Sequence, residues 1–273
     1  MPELPEVETI RRDLEPLVVG RTITAVAIAG GAERLAVTHS PRALEHQLTG
    51  RRIEALGRHG KYMLATLDDE RTWVIHLRMT GSLLHRPAEG EPGRFERARV
   101  DLDDGGSLRF NDMRKFGTWH LVEEPGDAMP RTGPDALSPQ FDVQWLREQF
   151  GRRSTSVKAV LLDQKVAAGV GNIYADEACW IAQVDPRTLA RRLGPRRVGR
   201  LHAALLETLN SAIAARGSTF SDYRDGAGEP GLHQVNWHVF RREGEPCERC
   251  GRELAKIRLA GRGTHFCPGC QRR

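Results

Sequence analysis

Two cysteine pairs, Cys247-x2-Cys250 and Cys267-x2-Cys270, stand sixteen residues apart at the end of this 273-residue chain. No other feature constrains the fold as tightly. A segment this short cannot enclose a hydrophobic core of its own. Four thiolates at this spacing can surround one Zn²⁺ tetrahedrally, and the metal then supplies the folding free energy. Because sulfur fills all four positions, the expected site is closed and structural. Four of the five cysteines fall in the last 27 residues, and such clustering favours metal ligation over disulfides or redox chemistry. The fifth, Cys179, lies in the apolar run Ala178-Cys179-Trp180-Ile181 and reads as a buried core thiol.

Charge points the same way. The net charge is +5. From Val239 to Arg273 there are nine Lys/Arg against four Asp/Glu, so this end alone accounts for the excess and the other 238 residues are nearly neutral. A basic segment folded around a metal suits a polyanionic partner. With 39% hydrophobic and 28% charged residues, the chain can fill real cores under a solvated surface. It has no run of eighteen apolar residues and so no expected membrane span. The start Met1-Pro2-Glu3-Leu4-Pro5-Glu6 is not that of a signal peptide, which predicts a cytoplasmic location.

Residues 3–18 read as an amphipathic helix, with Leu4, Val7, Ile10, Leu14 and Leu17 at spacings of three and four, ended by Gly20. From Thr22 to about Glu123 the pattern turns to short β-prone runs: Thr22–Ile28, Lys61–Leu67, Thr72–Leu77, Arg99–Leu102, Ser107–Phe110 and Thr118–Val122. This predicts an antiparallel sandwich or barrel. Glu124 to Pro139 holds four prolines and two glycines in sixteen residues and reads as a linker. Beyond it, Val198, Leu201, Leu205, Leu209 and Ile213 form a helical stripe, and two shorter helices flank Gly169-Val170-Gly171-Asn172. Residues 217–236 are polar and glycine-rich and read as a mobile loop. The expected class is therefore α+β and multidomain: 1–124 as a β-sandwich with a leading helix, 125–139 as linker, 140–236 as a helical domain, and 237–273 as a zinc ribbon.

Pro2 has a chemical reading as well. Removal of Met1 would expose a secondary amine, and an α-amine is neutral in larger part near pH 7 than a lysine. A neutral amine can attack a sugar C1′ and form a Schiff base, with Glu3 beside it as a carboxyl acid or base. Taken alone, a Met-Pro-Glu start is usually only a start, Lys61 a surface lysine, Met79 and Phe116 core residues, and Gly169–Asn172 an ordinary interhelical turn.

A set of sequence blocks changes that balance. Met1–Thr9 resembles the N-terminus of the formamidopyrimidine-DNA glycosylases, the Fpg or MutM family. So, in the same order, do His59–Tyr62, His76–Gly81, Arg114–Gly117, Gly169–Ala175 and Gly261–Cys267 resemble that family's later blocks. The resemblance spans nearly the whole chain. It implies a bacterial DNA glycosylase with lyase activity that acts on damaged double-stranded DNA as a monomer. Pro2 would be the nucleophile at C1′ and Glu3 the proton donor and shuttle. Lys61 would assist β-elimination. Arg262, on the zinc-ribbon hairpin, would contact the lesion phosphate and be linked to the second elimination. Met79, Arg114 and Phe116 match the residues that fill the gap left by an extruded base. Gly169–Asn172 matches the turn of a helix–two-turn–helix motif, with Asn172 at the phosphate. His76, Arg153 and Lys158 match DNA-contacting positions, and Arg258 is placed to meet phosphates.

The chain also departs from the family. Met113 stands where the family usually has proline before the wedge arginine. Arg97 aligns with a position that is often a DNA-contacting histidine; it can hold a phosphate but cannot do imidazole chemistry. The segment from Ser218 to Gly231, which corresponds to the part that folds over the flipped base, matches only loosely. Two competing readings remain: an endonuclease VIII-like enzyme for oxidised pyrimidines, and a zinc-ribbon DNA-binding protein without chemistry. Leu4-Pro5 and Phe116 favour oxidised purines such as 8-oxoguanine and formamidopyrimidines. Pro2, Glu3, Lys61 and Arg262 together favour an enzyme.

Overall fold

The structure, a computed structural model, describes residues 1–129, 131–219 and 224–273. Helix α1 (Leu4–Val18) starts two residues after Pro2 because Glu3 caps it: the Glu3 N–H donates to Glu6 Oε2 at 2.8 Å. This is half of a capping box, and Pro5 fits in the first turn, where no intrahelical donor is needed. Leu4, Val7, Ile10 and Leu14 are buried as expected, but the stripe drifts to Val18 and leaves Leu17 40% exposed.

Two four-stranded antiparallel sheets follow. One runs β1 (Ile23–Ile28), β6 (Glu96–Leu102), β7 (Gly106–Asp112), β5 (Gly81–Pro87). The other runs β2 (Ile53–His59), β3 (Tyr62–Leu67), β4 (Thr72–His76), β8 (Thr118–Val122). Alternating burial along β3 shows the period-two signal that made it legible. Phe110 of the first sheet meets Trp119 of the second edge-on at 5.6 Å, and Trp119 meets Trp73 at 4.8 Å. Such aromatic pairs add about 0.5–1.5 kcal/mol each beyond the area they bury.

The sandwich was expected; β2, β5 and helix α2 (Pro41–Leu48) were not. The signal for α2 was local. Ser40 Oγ accepts the Ala43 N–H at 3.3 Å and Pro41 opens the helix, an N-cap followed by proline at the first position. A short helix α3 (Pro125–Ala128) lies inside the proline-rich linker.

The chain forms two compact units, 1–130 with 215–234, and 131–214 with 235–273. The second contains α4 (Val143–Gly151), α5 (Val157–Leu162), α6 (Asn172–Ile181), α7 (Pro195–Ala214) and the hairpin β9 (Ala255–Leu259) and β10 (Arg262–Phe266). Val198, Leu201, Leu205, Leu209 and Ile213 face inward along α7. Cys179 is fully buried, and burial pushes its thiol up, away from reactivity.

Residues 215–234 pack with the first unit rather than with the helices. Arg216 Nη2 reaches Asp13 at 2.7 Å, Ser218 N–H donates to Glu6 Oε1 at 2.8 Å, and Gly226 N–H donates to Asp13 at 3.1 Å. Asp225, with no exposed surface, accepts the Ala227 and Glu229 N–H groups. The described parts of the segment read as a mobile loop are thus bonded to α1; residues 220–223 of it lie outside the described residues. No helix among the described residues is long and apolar enough to cross a membrane.

Candidate active site and nucleic-acid interface

In the first unit the N-terminus is held in place. Pro2 is buried and Glu3 is 4% exposed. Glu6 uses one carboxylate oxygen for the Glu3 N–H and the other for the Ser218 N–H. One side chain therefore joins the helix start to the segment after α7. Lys61, 8% exposed, follows Gly60 in the β2–β3 turn. Arg58 ties that turn to α1, donating from Nε to Glu8 Oε2 and from Nη1 to the Gly60 carbonyl, each at 3.0 Å. Burial alone would raise Glu8, but bonds from Arg11, Arg12 and Arg58 outweigh it and hold the carboxyl at about 2.

His76 sits opposite Tyr62 in the β3–β4 register, ring edge to face at 4.4 Å. Burial, then the charges of Arg78 and Lys61, push its imidazole down to about 3. Nδ1 accepts the Arg78 N–H at 2.8 Å, so in the neutral ring Nε2 carries the proton. His76 is therefore a neutral donor beside Lys61.

Met79, Arg114 and Phe116 come together. The Arg114 guanidinium lies 4.7 Å from the Phe116 ring centre and 3.1 Å from Met79 Sδ. Met79 is 40% and Phe116 46% exposed, against the plain reading of both as core. A buried carboxylate, Asp112, holds the two loops that carry them. It accepts from Thr80 Oγ1 at 2.5 Å, from Arg114 N–H at 3.1 Å, and from the Phe116 and Gly117 N–H groups at 2.8 Å. A Cβ on Gly117 would lie 2.4 Å from Phe110, so only glycine fits there. Arg97 donates to the Asp112 carbonyl at 2.8 Å. Asp112 was missed in the sequence because one acid at a strand end carries no periodic signal.

In the second unit, Gln164 shapes the turn between α5 and α6. It accepts the Gly169 N–H at 3.0 Å and donates to the carbonyls of Leu162 and Val170. Gly171, which has no side chain to cap with, stands at the N-cap of α6. Asn172 Nδ2 donates to the Gly263 carbonyl at 3.0 Å. Arg153 bonds to Gln149 and lies 3.6 Å from Asp163.

The structure corrects the reading of Lys158 as a basic DNA contact. Its side chain has no exposed surface, and Nζ is committed to Asp176 Oδ1 at 2.6 Å, Thr264 Oγ1 at 2.8 Å and the Gly263 carbonyl at 3.1 Å. Asp176 Oδ2 accepts the His265 N–H at 2.9 Å, and Glu177 accepts the N–H groups of His238, Val239 and Phe240. Helix α6 thus holds the hairpin through Asn172 and Asp176, and the segment His238–Phe240 through Glu177.

The four sulfurs of Cys247, Cys250, Cys267 and Cys270 lie within 4.8 Å of one another, with pairs at 3.5 and 3.8 Å. Tetrahedral Zn–S bonds of about 2.3 Å require sulfur separations near 3.8 Å, so the four thiols fit one structural zinc. Gly269 allows this closeness, since a Cβ there would lie 3.0 Å from Cys250 Sγ. Between β9 and β10, Ala260 and Gly261 both take positive φ, a two-residue hairpin turn. The turn presents Arg262, exposed and without an ion pair among the described residues, on a strand whose other end leads directly into Cys267. Arg258 is exposed on the facing strand.

Family models match in the same order. Residues 1–119 match the formamidopyrimidine-DNA glycosylase N-terminal domain, 132–224 the formamidopyrimidine-DNA glycosylase H2TH domain, and 244–273 the zinc finger found in FPG and IleRS. The chain is 45% identical to the formamidopyrimidine-DNA glycosylase of Chloroflexus aurantiacus over 99% of this chain and 98% of that one. Among solved structures it resembles MutM (Fpg) from Thermus thermophilus, with a TM-score of 0.88 and 41% identity over 99% and 98% of the two chains. It also resembles Lactococcus lactis Fpg in complex with FAPY-dG-containing DNA, with a TM-score of 0.89 and 35% identity over 99% and 100%. The chain belongs to the formamidopyrimidine-DNA glycosylase family, zinc-finger DNA-binding glycosylases of DNA repair.

Proposed function

We propose that the protein excises oxidised purines, 8-oxoguanine and formamidopyrimidines, from duplex DNA and then nicks the strand on both sides of the sugar. The observation that carries this reading is the fixed N-terminus: Pro2 and Glu3 are buried at the start of α1, with the Glu3 N–H locked on Glu6. After Met1 is removed, the Pro2 amine attacks C1′, the base leaves with a proton delivered through Glu3, and a Schiff base remains. Lys61 assists abstraction of the C2′ proton in β-elimination. Arg262 contacts the lesion phosphate and serves the second elimination, which releases the sugar.

The neutral His76 offers its Nε2 proton as a hydrogen bond to the DNA backbone without adding charge beside Lys61. Met79 and Phe116 fill the space of the extruded nucleotide, and Arg114 pairs with the orphaned base. Arg97 and Arg153 add phosphate contacts. Asn172, the first residue of α6, takes a phosphate. The zinc supplies folding energy to the hairpin and takes no part in the chemistry.

Relatives of known structure support the partner, since Lactococcus lactis Fpg binds DNA containing FAPY-dG or an abasic site. The test is product analysis on duplexes carrying 8-oxoguanine opposite cytosine or an oxidised pyrimidine. Faster excision of the purine lesion, with phosphate left at both ends of the gap, is expected. Faster pyrimidine excision would contradict the substrate assignment.

A further inference from the structure

Between Asp185 and Arg200 the chain carries six arginines, Arg187, Arg191, Arg192, Arg196, Arg197 and Arg200, against one acid, Asp185. This second concentration of positive charge is hidden in the near-neutral count of the first 238 residues. Asp185 is already engaged: it is 2% exposed, 2.6 Å from Arg187 Nη2 and 3.7 Å from Arg273 Nε. Arg191, Arg192, Arg196 and Arg200 are exposed and make no ion pair among the described residues.

They gather at one end of α7. Arg191 and Arg192 close the 3-10 turn Ala190–Arg192, and Arg196 and Arg200 follow one helical turn apart on the same face. Arg197 donates to the Arg272 carbonyl, which brings Arg272 and Arg273 to the same patch. The first turn of α7 contains no acid. The guanidinium groups therefore add to the positive end of the helix instead of offsetting it. The fold sustains a repulsion that a bound polyanion would relieve.

The chemistry of the surface selects the polyanion. No large hydrophobic side chain between residues 185 and 200 is exposed. An acidic peptide partner would need apolar or aromatic anchors for its energy. A phosphodiester backbone needs only closely spaced guanidinium groups. We infer that this patch binds the backbone of a second stretch of duplex DNA, outside the stretch held at a lesion, and so keeps the protein on DNA between lesions.

The test uses the full-length, zinc-loaded protein, the variant R191S/R192S/R196S/R200S and its four-lysine counterpart. A long undamaged duplex is titrated at several salt concentrations. In the serine variant, the slope of log affinity against log salt is expected to become shallower by about 3.6, since each of the four lost phosphate contacts removes about 0.9. The lysine variant keeps the slope. R191S/R192S alone, which lies outside α7, gives about half the change and keeps the test independent of that helix. Excision from a duplex just long enough to cover a lesion stays within about twofold of wild type. An unchanged slope would overturn the inference. So would a parallel loss of excision on the short duplex, which would make the arginines part of the lesion interface. Loss of binding to polyglutamate with an unchanged DNA slope would overturn it in favour of an acidic protein.

Discussion

Lys158 Nζ lies 2.6 Å from Asp176 Oδ1, and neither side chain has exposed surface. The pair stands between the helix–two-turn–helix turn and the zinc hairpin, and Gly263 joins it by accepting from both Lys158 and Asn172. Removing one partner of a buried pair strands the other charge, at a cost of about 3–5 kcal/mol. Lys158→Met is therefore expected to lose that much stability in denaturant unfolding and to weaken DNA binding as the hairpin loosens. Lys158→Met with Asp176→Asn should recover most of the stability, because no lone charge remains and the His265 N–H keeps an acceptor. Equal instability of the single and double variants would mean that the pair itself is not what matters.

The sign of the His76 contribution follows from its depressed value. Unfolded, the ring titrates near 6.5; folded, it is pushed down to about 3. Above pH 6.5 it is neutral in both states and contributes nothing to the pH dependence. As pH falls from 6.5 toward 3, the unfolded state takes up a proton that the folded state refuses, and stability is lost at about 1.4 kcal/mol per pH unit. Between pH 6.5 and 5, wild type should therefore lose about 2 kcal/mol more than His76→Gln. Parallel curves for the two proteins in urea melts would contradict a buried neutral ring.

Zinc removal should affect the hairpin rather than the sandwich. One zinc per chain is expected by elemental analysis, and Cys267→Ser is expected to abolish it. DNA affinity should then fall by at least tenfold, because Arg258 and Arg262 lose their rigid strand pair. The sheets of the first unit share no ligand with the metal and should keep their near-ultraviolet tryptophan signal from Trp73 and Trp119. Retained affinity in a metal-free protein would remove the hairpin from the interface.

Met79 and Phe116 present a different balance. Both are partly exposed, so Met79→Ala and Phe116→Ala should change the unfolding midpoint little, within the roughly 0.5 kcal/mol usual for surface sites. Single-turnover excision from a paired lesion should slow by tenfold or more, since nothing then fills the stack. A lesion in single-stranded DNA needs no such filling and should be much less affected. Equal slowing on both substrates would count against a wedge role.

Much of this was legible in the sequence because it rests on local rules. The four cysteines carry their spacing, the α7 stripe its period, and β3 its alternation. What escaped depends on contacts between distant segments. Lys158 looks like a solvated lysine until Asp176 and Thr264 close around it, and Asp112 looks like a turn acid until two loops converge on its carboxylate. Asp13 and Asp225 gain meaning only when Arg216 joins them across about two hundred residues of chain. The arginines from 187 to 200 were visible but cancelled in a net count. The pair Trp73 and Trp119 marks the core, yet β2 and β5, which complete the sheets around it, lack a clean alternation.

The most direct test of the central claim is reductive trapping at Pro2. Wild-type protein and Pro2→Gly are incubated with duplex DNA carrying 8-oxoguanine opposite cytosine, in the presence of cyanoborohydride, and binding is measured on the same samples. The expected result is a covalent protein–DNA adduct with wild type, mapped to residue 2, and no adduct with Pro2→Gly although it still binds. An adduct of equal yield in Pro2→Gly, or one mapped to Lys61, would contradict the assignment of Pro2 as nucleophile.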